Sequence, residues 1–170
     1  MTTAPPDIDL AALIADTETE IMRLVQDRGP STRGLYEMVR YHLALDGSGA
    51  SGGKRMRPLL GLLAYASIAG EHLRALPGAA AVELGHNFSL VHDDIEDGDT
   101  ERRHRATLWT IHGVPQAINT GDALFSLSRI ALHRLTDLGF PDSTVLRLMR
   151  LFDKNAHAEA GSACPHRSCA

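Results

Sequence analysis

The chain has 170 residues, 44% of them hydrophobic and 22% charged, with 17 Lys and Arg against 21 Asp and Glu. Those proportions exclude collagen, coiled coil and wholesale disorder, and they allow one domain with a substantial core. A net charge of -4 argues against a nucleic-acid binder that relies on bulk positive charge. An aromatic content of 5%, with Leu, Ala, Ile and Val dominating the apolar residues, favours helices over a β-sandwich.

Residues 1–6 read as a loose end. From Asp7, a candidate cap, the residues Leu10, Leu13, Ile14, Thr17, Ile21, Leu24 and Val25 recur at helical spacing, and Gly29-Pro30 ends the run. A second helix is expected from about Thr32 to Leu45, followed by the flexible stretch DGSGASGG over 46–53. A third runs from Met56 to Ala69, with Pro58 tolerated in its first turn and Gly70 as its stop. The next begins near Pro77 and runs to Asp97, where Gly98 ends it. Residues 98–112 are polar and basic and read as a loop. Pro115 opens another helix to about Leu138, and a last helix starts near Asp142. No run shows the period-two alternation of a strand, so the expected class is all-α.

From Ala158 the tail AEAGSACPHRSCA leaves the apolar pattern and reads as irregular. It holds the only cysteines, Cys164 and Cys169, which cannot staple the domain. With His157 and His166 they match no familiar zinc-finger spacing. No stretch approaches the roughly 18 apolar residues of a membrane span. MTTAPPDIDL has neither the basic region nor the apolar core of a signal peptide, so a cytoplasmic chain is expected.

The chemistry concentrates in three places. Asp93-Asp94-Ile95-Glu96-Asp97 closes a long helix, and the four-residue spacing puts Asp93 and Asp97 on one face. Two carboxylates at a helix C-terminus are locally unfavourable, which invites a cation, and hard oxygen donors suit Mg²⁺. The competing reading is a solvated acidic helix end. An EF-hand fails, because Ile95 and His104 fall at positions that need oxygen ligands. His86 lies two turns before Asp93 on the same face. Upstream, Gly52-Gly53-Lys54-Arg55-Met56-Arg57-Pro58 joins permissive glycines to three cations and suits a phosphate, though it is not a Walker A loop. Downstream, Arg102 and Arg103, with His104 and Arg105, form a second basic run. An acidic metal site between two basic clusters is what a diphosphate substrate requires.

GGKRMRP, ELGHNFSLVHDDIEDGDTERRHRATLW and NTGDALF resemble, in order and spacing, the motifs of the trans-type isoprenyl diphosphate synthases, the polyprenyl synthetase family. The resemblance runs from about Asp7 to about Phe152 and implies a helical bundle of the isoprenoid synthase type, usually homodimeric. It implies head-to-tail condensation of an allylic diphosphate with isopentenyl diphosphate. Asp93 and Asp97 would bridge Mg²⁺ to the allylic diphosphate, with Asp94 supporting and Arg102 binding the same group. Lys54, Arg57, His86 and Arg103 would cradle isopentenyl diphosphate. Bulky Phe88 and small Ser89, five and four residues before Asp93, imply a short product of fifteen to twenty carbons.

His104 stands where the family usually has Gly, and Ala106 where it usually has Pro. No second Asp cluster follows Asp97, and AEAGSACPHRSCA replaces a GQ-containing segment. Residues 7–157 therefore read as the N-terminal part of the family's domain, truncated, with 158–170 as an irregular tail. Such a chain is expected to turn over little alone and to expose apolar faces. A non-catalytic accessory subunit is the alternative, in a homodimer or mixed oligomer. A terpene cyclase is disfavoured by GGKRMRP and the Arg102-Arg103 pair, since it has no isopentenyl diphosphate to hold.

Overall fold

In the computed structural model residues 9–26 and 29–162 are described, with side chains through residue 156. The expected cap Asp7 lies outside them, as do Cys164, His166, Cys169 and the His157 side chain. Asp9 caps the first helix instead. Its Oδ1 accepts from the Ala11 N–H at 2.9 Å, and α1 follows over Leu10–Leu24.

α2 (Arg33–His42) is followed by the glycine-rich stretch, and α3 (Met56–Ala69) begins where that stretch ends. Gly70, at φ 75, closes α3 with its N–H on the Ala66 carbonyl. A single 3-10 turn over Leu73–Ala75 leads into α4 (Leu76–Glu96), with Pro77 in its first turn.

The stretch 98–112 departs from the expected loop. It holds a minimal antiparallel hairpin, β1 (Glu101–Arg102) against β2 (Arg105–Ala106), and a short helix α5 (Leu108–His112). Two residues per strand are too few for alternation to register in a sequence. α6 (Val114–Asp137) and α7 (Asp142–Ser162) complete the order. The backbone of α7 continues through Ser162, past Ala158 where an irregular tail was expected.

The centre of the fold is the long pairing of α4 with α6. Ala80, Ala81, Leu84 and Val91 of α4 share one buried cluster with Leu124, Leu127, Ala131 and Leu135 of α6. Ile21, Val39 and Met149 add the faces of α1, α2 and α7. Each fully buried aliphatic side chain contributes roughly 1.5–3 kcal/mol. A smaller cluster of Leu13, Leu59, Leu62 and Ala79 fastens α1 and α3 to the start of α4. This framework holds the acidic end of α4 beside the loop that opens α3.

Apolar surface is also left uncovered by described residues. Met56, Leu60, Ala64 and Ile68 recur every fourth residue along α3 and all are exposed, Ile68 at 90%. Gly61, on the same side, has open space where a Cβ would stand. No described helix is long and apolar enough to cross a membrane.

Candidate anion and metal site

The last turn of α4 presents three aspartates in different settings. Asp93 is half-buried and Asp97 exposed, and the Asp97 N–H donates to the Asp93 carbonyl at 2.8 Å, so the two residues stand one helical turn apart on the same face. Neither has an ion-pair partner among the described residues. Asp94 is buried, and its Oδ1 receives Arg102 Nε at 2.7 Å. Burial pushes its carboxyl pKa up, opposed by Arg102.

The hairpin separates two neighbouring cations. Arg102, in β1, turns to Asp94. Arg103 occupies the two-residue turn and donates through Nη1 to the Gly52 carbonyl. Its guanidinium lies against Gly53, where a Cβ would stand 3.0 Å from its Cζ. Arg103 and His104 have φ 53 and 62, the left-handed pair that a type I′ hairpin demands. His104 thus holds, without glycine's freedom, a conformation that favours glycine.

At the start of α3, Arg57 is exposed and donates through Nη1 to His86 Nε2 at 3.0 Å. A guanidinium only donates, so Nε2 accepts and the His86 proton sits on Nδ1. Burial and the adjacent Arg57 charge both lower the His86 pKa, in agreement with a neutral ring. Lys54 is exposed and makes no hydrogen bond or ion pair among the described residues.

Phe88 is half-buried. Its ring meets Phe125 at 5.2 Å and His92 at 5.0 Å, and Phe125 continues to Phe152 at 6.3 Å. Ser89 is half-buried, with its hydroxyl on the His86 carbonyl at 2.9 Å. A cavity of about 220 Å³ opens between Arg57, His86, Gly85 and Phe152.

Two residues have settings that the sequence does not show. Arg55, only 3% exposed, is not a free cation beside Lys54 and Arg57. It bonds Glu18, Glu83 and the Leu43 carbonyl. Nothing in the linear pattern distinguishes it from Arg57. His42 has its Nε2 shielded from water without a partner, and burial plus the charges of Arg103 and Arg102 lower its pKa to about 3.

The donor set fits a hard divalent cation. Among the described residues no cluster of three or more His, Cys, Asp or Glu encloses a metal. Mg²⁺ takes one or two carboxylates and completes its shell with water and phosphate oxygens, and the unpaired Asp93 and Asp97 supply that number.

Helices stacked about an aspartate-tipped central helix, faced by basic loops, define an isoprenoid-synthase-type helical fold. The polyprenyl synthetase family model matches residues 35–161, and the chain belongs to that family. It is 39% identical over 107 residues to a geranylgeranyl pyrophosphate synthase of Geoglobus acetivorans, covering 63% of this chain and 31% of that one. It is 36% identical over 141 residues to the small subunit of a heterodimeric geranylgeranyl pyrophosphate synthase of Arabidopsis thaliana, covering 81% and 41%. The crystal structure of a geranylgeranyl pyrophosphate synthetase from Pyrococcus horikoshii superposes with a TM-score of 0.75 at 34% identity, covering 87% of this chain and 43% of that one. The chain thus spans less than half the length of these relatives.

Proposed function

We propose that the chain carries the diphosphate-binding half-site of a short-chain prenyltransferase. The observation that supports this best is the pair of unpartnered carboxylates, Asp93 and Asp97, on one face of an α4 end bordered by basic residues from two other segments.

In this reading Asp93 and Asp97 hold Mg²⁺ against the diphosphate of the allylic substrate. Bound Mg²⁺ supplies charge neutralisation for the departing diphosphate. Arg102 shares its guanidinium between Asp94 and that diphosphate, so Asp94 aims a cation rather than ligating the metal. Lys54, Arg57 and Arg103 receive the diphosphate of isopentenyl diphosphate, with His86 orienting Arg57. Most of these cations already rest on internal acceptors, so little side-chain freedom remains to be lost on binding. Phe88 and Ser89 line the path of the growing chain, and the bulk of Phe88 limits the product to fifteen to twenty carbons.

The test is a condensation assay with labelled isopentenyl diphosphate, an allylic diphosphate and Mg²⁺, beside calorimetric titration of inorganic pyrophosphate. Binding is expected with little or no turnover by the chain alone, because half a site leaves an allylic cation open to water. Absence of pyrophosphate binding by folded protein contradicts the proposal.

A second reading is an accessory subunit that pairs with a full-length synthase. The likeness to the small subunit of the Arabidopsis thaliana enzyme supports it, as does the uncovered stripe Met56, Leu60, Ala64 and Ile68. Co-elution with a full-length synthase on size exclusion is the expected result, and separate elution counts against it.

A further inference from the structure

We infer that Arg55 is a positioning residue that sets the spacing of the diphosphate-binding cations without touching the ligand itself. The inference rests on the half-site reading above.

Arg55 stands at the junction of the fold's polar elements. Nε reaches Glu18 of α1 at 3.2 Å, Nη1 reaches Glu83 of α4 at 2.7 Å, and Nη2 reaches the Leu43 carbonyl beyond α2 at 2.7 Å. Glu83 is itself buried and held by Asn87 Nδ2 at 3.0 Å, so the acceptor cannot swing away. A charge this buried keeps its place only while its partners stay in geometry.

Three consequences reach the cations. The backbone of Gly52 lies directly against the Arg55 guanidinium, and a Cβ there would overlap that group and stand 2.9 Å from the Leu43 carbonyl. Gly52 in turn supplies the carbonyl on which Arg103 rests, so Arg55, Gly52 and Arg103 form one stack. Finally, the Arg55 backbone, at φ 46 and ψ 33, is the left-handed residue that immediately precedes α3. Its turn sends Lys54 to solvent on one side and starts on the other the helical turn from which Arg57 meets His86. An ammonium offers its donors from one point and cannot serve three acceptors set around a planar fork.

The test uses the full chain and inorganic pyrophosphate, titrated calorimetrically with EDTA and again with Mg²⁺. The EDTA arm reads the cations without Asp93 and Asp97. Arg55→Lys is expected to bind about tenfold more weakly in both arms, the low end of what is lost when a residue orienting a metal ligand is removed. The double variant Arg55→Met with Glu83→Leu removes both buried charges. It is expected to melt above Arg55→Met alone, because no buried carboxylate of Glu83 is left unpaired, while binding stays weakened. Wild-type affinity in either variant overturns the inference while leaving the half-site reading intact. Should the double variant not fold, the Arg55→Lys affinity alone decides. No pyrophosphate binding by wild type overturns the half-site reading, and this inference with it.

Discussion

Asp94 Oδ1 and Arg102 Nε lie 2.7 Å apart, and this ion pair joins the last turn of α4 to the hairpin that follows it. It engages two residues whose sequence context suggests direct service to the ligand. The pair is half sunk in protein, since Asp94 is buried while Arg102 keeps part of its surface in water.

Asp94 therefore has a specific signature in pH. Its folded-state pKa is raised above the ordinary 3.8, with burial outweighing Arg102. A raised carboxyl pKa means the folded state takes up the proton more readily than the unfolded chain. Its ionisation thus costs stability above the folded value, and that cost is relieved as pH falls toward 3.8. Thermal melts at stepped pH should show wild type gaining on Asp94→Asn as the solution is acidified. A gap moving the other way would show that Arg102 dominates.

His42 acts in the opposite sense. Its folded pKa is about 3 against an ordinary 6.5, so the fold requires the neutral ring. Its contribution is fully present above 6.5 and is lost as pH falls toward about 3, by up to about 1.4 kcal/mol per pH unit. Chemical denaturation at pH steps below neutrality should show wild type weakening faster than His42→Gln. Parallel slopes would remove His42 as the source.

Removing metal ligands should separate two kinds of anion binding. Asp93→Asn with Asp97→Asn is expected to abolish the gain in pyrophosphate affinity that Mg²⁺ brings, and to leave affinity in EDTA unchanged or slightly higher. Circular dichroism should be unaltered, because neither carboxylate has an ion-pair partner among the described residues. Calorimetry in both conditions reads the result.

His104→Gly is expected to stabilise the chain by about 0.5–1 kcal/mol. The φ of 62 carries a left-handed penalty that glycine escapes, partly offset by glycine's larger unfolded-state entropy. A shift in the midpoint of urea unfolding measures it.

Gly85→Ala should cost about 1–3 kcal/mol, because a Cβ there would overlap the Phe152 ring across α4 and α7. Near-ultraviolet circular dichroism and melting temperature together report the displaced ring and its cost.

Much of the helical framework was legible in the sequence because its signals are periodic or punctual. Apolar spacing marked α1, and the prolines at 58, 77 and 115 with Gly70 and Gly98 marked the bounds of α3, α4 and α6. The hairpin escaped because each strand has two residues, and α5 because a five-residue helix shows no full period. The basic and acidic segments were legible as composition, but their pairings were not. Arg55 and Glu83 stand 28 residues apart, and only the packing of α3 on α4 makes them neighbours. His104 was visible as a departure from the family's usual Gly, and the backbone supplies the reason.

The hairpin turn gives two consecutive residues opposite errands: Arg102 holds the end of α4, and Arg103 holds the loop before α3. A single strap therefore gauges the distance between two segments remote in the chain, the loop at Gly52 and the helix end at Asp94. A shift of either segment alone breaks one of the two contacts. A change at Gly52 or Gly53 that lengthens the gap has to be answered in the hairpin, and tolerated substitutions there should arrive in matched pairs.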